Sequence, residues 1–123
     1  MTTFKSYRDL EVWKRSMRLA KRIYEVTQKF PTEERFGLTN QLRRAAVSVP
    51  SNVAEGHARF GSGEFIRFLS IAMGSVAEIE TQILLSHDLG YVREALADEL
   101  LAELDVIGKM LRGLAKSIER RRV

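Results

Sequence analysis

Apolar positions along the chain recur every three or four residues, and no stretch keeps the two-residue alternation of a half-buried strand. The pattern predicts four amphipathic helices, at about residues 7–29, 38–57, 62–89 and 93–120. In the first, Leu10, Trp13, Met17, Ala20 and Tyr24 step along one face, and Ile23, Val26 and Phe30 widen it. Ser6 and Asp9 have the spacing of a capping box, and Pro31 stops the helix by disfavouring helical geometry at Phe30. The second stripe is Leu42, Ala46, Val49 and Val53; the third is Phe65, Leu69, Ala72, Val76, Ile79 and Ile83. Ser62 is placed to cap the third helix, and Gly90 to close it. The fourth seam runs through Leu96, Leu100, Leu104, Ile107, Leu111, Leu114 and Ile118. Steps of four and three suit left-handed bundle packing, and short connections make neighbours antiparallel. The expected architecture is all-α: an up-down antiparallel four-helix bundle forming a single domain over residues 1–123.

The stretch RRAAVSVPSNVAEG, residues 43–56, interrupts this regularity with Pro50. A proline inside a helix removes one hydrogen bond and crowds the carbonyl four residues back, here that of Ala46. Pro50 could open a new short helix capped by Ser48, or the helix could continue through a kink. The unbroken four-residue spacing from Val49 to Val53 favours continuation. Beside the apolar stripe runs a polar one through Arg44, Ser48, Ser51 or Asn52, Glu55 and Arg59, with Ala45, Ala46 and Ala54 keeping the helix slim. Such a face is expected to be half-buried against the third helix or another subunit. Folding the second and third helices back around Gly61 places Arg43 and Arg44 level with residues 76–80. An ion pair between Arg43 or Arg44 and Glu78 or Glu80 is therefore expected, within one chain or with a neighbour.

Composition narrows the chemistry. The 123 residues contain no cysteine, which excludes disulfides, thiolate nucleophiles and cysteine-based metal sites. A reducing, cytoplasmic setting is expected. No continuous apolar run approaches the roughly 18 residues that span a bilayer, so no membrane role is expected. His57 and His87 fall at opposite ends of the hairpin and read as surface or capping residues. RFGSG, residues 59–63, lacks the lysine of a phosphate loop. No nucleophile, metal-ligand set or cofactor motif accompanies the carboxylates, so neither catalysis nor a cofactor is expected. Trp13, Tyr24, Phe65 and Phe68 fall on or beside the core stripes and read as core rather than as base-stacking platforms.

The net charge is +4, and bundle topology sorts it in space. One end collects Lys5, Arg8, Arg59, Arg67, Arg112, Lys116, Arg120, Arg121 and Arg122; the other collects Glu33, Glu34, Asp88, Glu94, Asp98, Glu99 and Glu103. Helix dipoles account for the terminal turns only, and the basic run reaches further back. A second basic surface, Lys14, Arg15, Arg18, Lys21, Arg22 and Lys29, lies opposite the predicted apolar face of the first helix. Glu11 and Glu25 have the four-residue spacing to pair with Arg15 and Lys29. No base-reading motif is present, so phosphate contact is expected to dominate any nucleic-acid binding.

Five segments, RDLEVWKRS, KFPTEERFGLTNQLRRAAVSVPSNVAEG, FLSIAMGSVAEIETQI, LGYV and IGKMLRGL, carry a resemblance over nearly the whole chain. The sequence resembles the small four-helix-bundle proteins encoded by intervening sequences within bacterial 23S rRNA genes. It is similar, more distantly, to the accessory variability proteins of diversity-generating retroelements. Arg93 departs from the Ser or Thr cap usual at the fourth helix. The resemblance implies a homopentamer with RNA or nucleoprotein roles and no known catalysis. The leading expectation is a non-enzymatic, oligomeric nucleic-acid-binding protein contacting structured RNA. The alternative is an assembly scaffold that docks a nucleoprotein partner.

Overall fold

The computed structural model describes residues 6–122, so Lys5 of the expected basic end lies outside the described residues. Four helices, α1 (Glu11–Thr27), α2 (Leu38–Ala58), α3 (Ser62–Asp88) and α4 (Glu94–Arg121), form an up-down bundle, with 3-10 turns at Tyr7–Asp9 and Thr32–Glu34. The described residues contain no strand. α2 runs unbroken through Pro50, which is buried. The continuing-helix reading of the proline therefore holds.

The first helix is shorter than expected. Leu10 is extended, with ψ of 126°, and separates the 3-10 turn from α1. Ser6 Oγ accepts from the Arg8 N–H at 3.1 Å and caps that turn instead of sharing a capping box with Asp9. The expected core face of α1 is also rotated. Val12, Ser16, Leu19, Ile23 and Thr27 are buried, whereas Met17 and Tyr24 are exposed. Ser16 Oγ donates to the Val12 carbonyl and Thr27 Oγ1 to the Ile23 carbonyl, each at 2.7 Å. Hydroxyls satisfied four residues back can be buried at little cost, so two polar residues stand in an apolar seam.

The other stripes fall where the periodicity places them. Leu42, Ala46, Val49 and Val53 from α2, Leu69, Ala72, Ile79 and Ile83 from α3, and Leu100, Leu104, Ile107 and Leu111 from α4 are at most 1% exposed. By length and composition α3 is long and apolar enough to span a bilayer. Its inner face is the bundle core, through Leu69, Ala72, Val76, Ile79 and Ile83.

α2 and α3 make the most extensive helix contact. Small residues permit it. A Cβ built on Gly56 would stand 2.7 Å from Phe68 Cβ and 3.3 Å from the Phe65 carbonyl oxygen. At the acidic end, Glu34 joins three elements. Its Oε1 accepts from the Leu38 N–H at 3.0 Å, capping α2, and its Oε2 accepts from the Tyr91 hydroxyl at 3.0 Å. Tyr91 also packs on Phe30 with ring centroids 5.4 Å apart. The Glu34 hydrogen bond, with a smaller effect of desolvation, raises the Tyr91 phenol above its ordinary value.

Two glycines should respond oppositely to alanine. Gly56→Ala must push Phe68 and α3 outward, and overpacking of about 1–3 kcal/mol outweighs the gain of about 1 kcal/mol in helix propensity. Gly113 has nothing within 4 Å of a built Cβ, so Gly113→Ala should stabilise by about 0.5–1 kcal/mol. Urea denaturation at one protomer concentration measures both, and a stabilised Gly56→Ala would contradict the close α2–α3 approach. For Tyr91, the raised folded-state value means that its hydrogen bond stabilises fully below the ordinary phenol range. That contribution is lost as pH rises through the folded value. The stability advantage of the wild type over Tyr91→Phe should therefore be present at pH 8 and disappear in strong alkali.

Candidate nucleic-acid interface

Of the polar stripe on α2, Ser48 reaches α3, whereas Arg44, Ser51, Glu55 and Arg59 are exposed. Ser48 Oγ and Ser75 Oγ share a hydrogen bond of 2.8 Å. The Asn52 side-chain amide donates to the Ser48 carbonyl at 2.8 Å and to Ser48 Oγ at 2.9 Å. One turn-pair along, Gln82 Nε2 donates to Glu78 Oε2 at 3.3 Å and lies 3.5 Å from Gln41 Oε1. Glu55 belongs elsewhere: it is exposed and pairs with Arg59 at 2.7 Å.

The expected arginine–glutamate pair between α2 and α3 does not form within the chain. The level is right, since Ser48 meets Ser75 and Gln41 meets Gln82, but the direction is not. Arg43 points at α1: its Nε donates to Thr27 Oγ1 at 2.8 Å, its Nη2 to the Tyr24 carbonyl at 3.2 Å, and its guanidinium lies 4.5 Å from the Tyr24 ring centroid. Each helical residue turns the side chain by about 100°, so Arg43 and Arg44 cannot serve the same neighbour. Arg44 and Glu78 line a shared cleft of about 310 Å³ without bonding, and Glu80 makes no ion pair among the described residues.

Antiparallel packing of α1 on α4 rearranges the expected basic face. Arg15 Nε meets Glu103 Oε1 at 3.1 Å, and Arg22 bonds to Glu99. Arg22 holds the Glu99 carboxyl below its ordinary range, by its hydrogen bond first and its charge second. The expected Glu11–Arg15 and Glu25–Lys29 pairs are absent among the described residues; Glu11 instead approaches Arg18 at 3.9 Å. Arg15 and Arg22 stand beside the true core stripe, where α4 carboxylates reach them. Lys14 and Lys21 remain on the outer surface without a carboxylate partner among the described residues.

At the basic end, Arg59 pairs with Glu55, Arg67 with Glu64 at 3.1 Å, and Arg122 with Glu119 at 3.1 Å. The Arg67 hydrogen bond, opposed by desolvation, lowers the Glu64 carboxyl. Arg59 and Arg67 also lie over the Phe68 ring, 5.1 and 4.7 Å from its centroid. Arg112, Lys116, Arg120 and Arg121 are exposed and have no ion pair among the described residues. These four occupy the last turns of α4, the end to which α3 brings its N-terminus: Arg122 Nη2 lies 3.4 Å from a Cβ built on Gly63.

The periodicity missed one feature. Met17 and Tyr24, expected in the core, are exposed and, with Trp13, which packs on the core edge, line an open, mostly apolar groove of about 540 Å³ between α1 and α2, with Val47, Pro50 and Ala54 on its other wall. The signal was present in Lys14 and Lys21, which share the outer side of that stripe. Phe68 is buried and Phe65 packs against the core, as expected.

The histidines act locally. His57 meets Phe65 edge-to-face at 5.7 Å, and His87 Nδ1 shares a 2.8 Å hydrogen bond with the Val92 carbonyl. No cluster of three or more potential metal ligands occurs among the described residues.

The fold has a counterpart among known proteins. A crystal structure of a protein of unknown function from the S23 ribosomal protein family of Bacteroides thetaiotaomicron VPI-5482 is similar. Its TM-score is 0.77 over 85% of this chain and 98% of that chain, at 23% identity, a likeness of fold alone. No curated protein matches the chain. The family model described as 23S rRNA-intervening sequence protein matches residues 8–113, from the 3-10 turn well into α4. The chain belongs to the 23S rRNA-intervening sequence protein family.

Proposed function

We propose that the chain is a non-enzymatic, homo-oligomeric protein that binds structured RNA mainly through phosphates, at the basic end of the bundle. The observation that carries this reading is the run of uncompensated cations along the last turns of α4. Arg112, Lys116, Arg120 and Arg121 have no carboxylate partner among the described residues, while Glu55, Glu64 and Glu119 nearby are each taken by another arginine. Charges tied up in pairs have little to offer a phosphate; free ones release its counterions. Arg15 and Arg22 therefore contribute less than their number suggests, and Lys14 and Lys21 more.

Self-association is supported by the outward face of α3. Ile71, Leu84 and Leu85 there, and Leu89 just past the helix end, are each 41–51% exposed, with Gly74, Ala77 and Thr81 between them. Small and apolar side chains in one stripe suit a helix contact better than they suit water. The family resemblance favours a ring of five. Repetition of the basic end around a ring multiplies weak phosphate contacts into avidity. The scaffold alternative draws on the same apolar face, with a partner protein in place of another copy.

Affinity for a structured RNA should fall steeply with salt and depend little on sequence. The triple variant Arg112→Glu, Lys116→Glu, Arg120→Glu should weaken binding across all RNAs and reduce the slope of log affinity against log salt by about 2–3. Its helicity should be unchanged, because none of the three makes an ion pair among the described residues. Filter binding between 50 and 200 mM salt measures this, and absence of binding at the lowest salt would remove the RNA reading. Light scattering at micromolar concentration tests the assembly, and a particle of 14 kDa would refute it.

A further inference from the structure

The groove between α1 and α2 has features that phosphate binding alone does not use. Its α1 wall presents Trp13, Met17 and Tyr24, with Met17 45% and Tyr24 42% exposed. Exposed aromatic and sulfur-bearing side chains on one wall provide flat, polarizable surface. The rings are also held in place. Tyr7 meets Trp13 edge-to-face at 5.3 Å. Arg43 stacks on Tyr24 while bonded to Thr27 and to the Tyr24 carbonyl, which fixes the guanidinium and the ring together. A platform fixed before binding loses little conformational freedom when it is used.

Charge indicates what fits. Among the described residues, Lys21 is the single charged residue lining the groove, and no carboxylate lines it. Lys14 lies two helical turns from Lys21 on the same outer edge, about 10 Å away along the axis. Along that edge the order is Lys14, Met17, Lys21, Tyr24: cation, apolar, cation, aromatic. An amphipathic protein helix laid into the groove would bring apolar surface against two ammonium groups with no acid to meet them. A single-stranded polynucleotide has the complementary arrangement, with flat bases directed one way and phosphates the other. Glu11 is drawn toward Arg18, and Glu25 lines a different cleft with Arg22, so neither closes the edge to a polyanion.

We propose that this groove receives unstacked bases of single-stranded RNA, such as a loop or an end, stacked on Tyr24 and Trp13, with Lys14 and Lys21 on the flanking phosphates. The proposal rests on the RNA-binding reading above and adds a second contact, selective for single strands, to the phosphate contacts of the basic end. Stacking of this kind tolerates any base, so it confers a preference for strandedness rather than for sequence.

Trp13 is the one tryptophan in the chain, so its emission reports on the groove directly. The full-length protein is titrated with a uridine 12-mer and, separately, with a 12-base-pair RNA duplex, while a labelled 12-mer reports binding by anisotropy. The uridine 12-mer should quench Trp13 saturably, and the duplex should not. Tyr24→Ala should weaken 12-mer binding by about five- to a hundredfold, while Tyr24→Phe, which keeps the ring, should bind as the wild type does. Circular dichroism confirms that each variant is folded, and the wild-type titration stands without them. Binding of the 12-mer by anisotropy with a silent Trp13 and no effect of Tyr24→Ala would overturn the groove proposal and leave the basic-end reading intact. Failure of every RNA to bind at low salt would overturn both. A Trp13 emission that shifts with protein concentration and ignores the 12-mer would show a second copy of the chain in the groove, and would also overturn the proposal.

Discussion

The close approach of α2 to α3 is the constraint on which the bundle depends. Gly56 lets Phe68 lie where a methyl group would otherwise stand, and Ser48 and Ser75 share a hydrogen bond across the contact. Large side chains would hold the helices apart, and the polar groups of this seam would then lose their partners inside a desolvated contact. Pro50 is tolerated within the same arrangement. It lies buried inside α2, which remains one helix through it. The small, polar, proline-bearing character of residues 43–56 is thus one solution to a single requirement, a thin helix beside a long apolar one.

Charge is divided between holding the fold and facing outward. Arg15 and Arg22 bind Glu103 and Glu99 and tie α1 to α4, neighbours whose backbones approach less closely than those of α1 and α2. Glu34 does comparable work at the acidic end, capping α2 and receiving the Tyr91 hydroxyl. The acidic residues near the start of α4 are therefore partly structural, and the sign change along that helix leaves its basic end free of such duties. An excess of positive charge becomes a surface property only after this internal pairing is subtracted.

Three of the four core stripes were legible because their buried positions are apolar and evenly spaced. α1 was not, for a physical reason. Its buried face includes Ser16 and Thr27, whose hydroxyls bond to their own helix, while Met17 and Tyr24 look like core and are exposed, and Trp13 is only partly buried at its edge. Periodicity weighs side chains by hydrophobicity and has no means to register a hydroxyl satisfied four residues back. The expected Arg–Glu pair failed in a related way. Hairpin register gave the correct level for Arg43, but its rotation about the helix axis sends it to Thr27 and Tyr24.

The sequence by itself determined the helix count, the hairpin order, the register of α2 on α3, and the sorting of charge to opposite ends. These follow from spacing and chain direction, which are local properties of an α-helix. Only the tertiary structure decided which arginines are spent on α4 carboxylates, which remain free, and that Trp13 and Tyr24 border an open groove. Those outcomes depend on the angle at which each helix meets its neighbours. A rotation of a single residue step, about 100°, is enough to exchange a core position for a surface one.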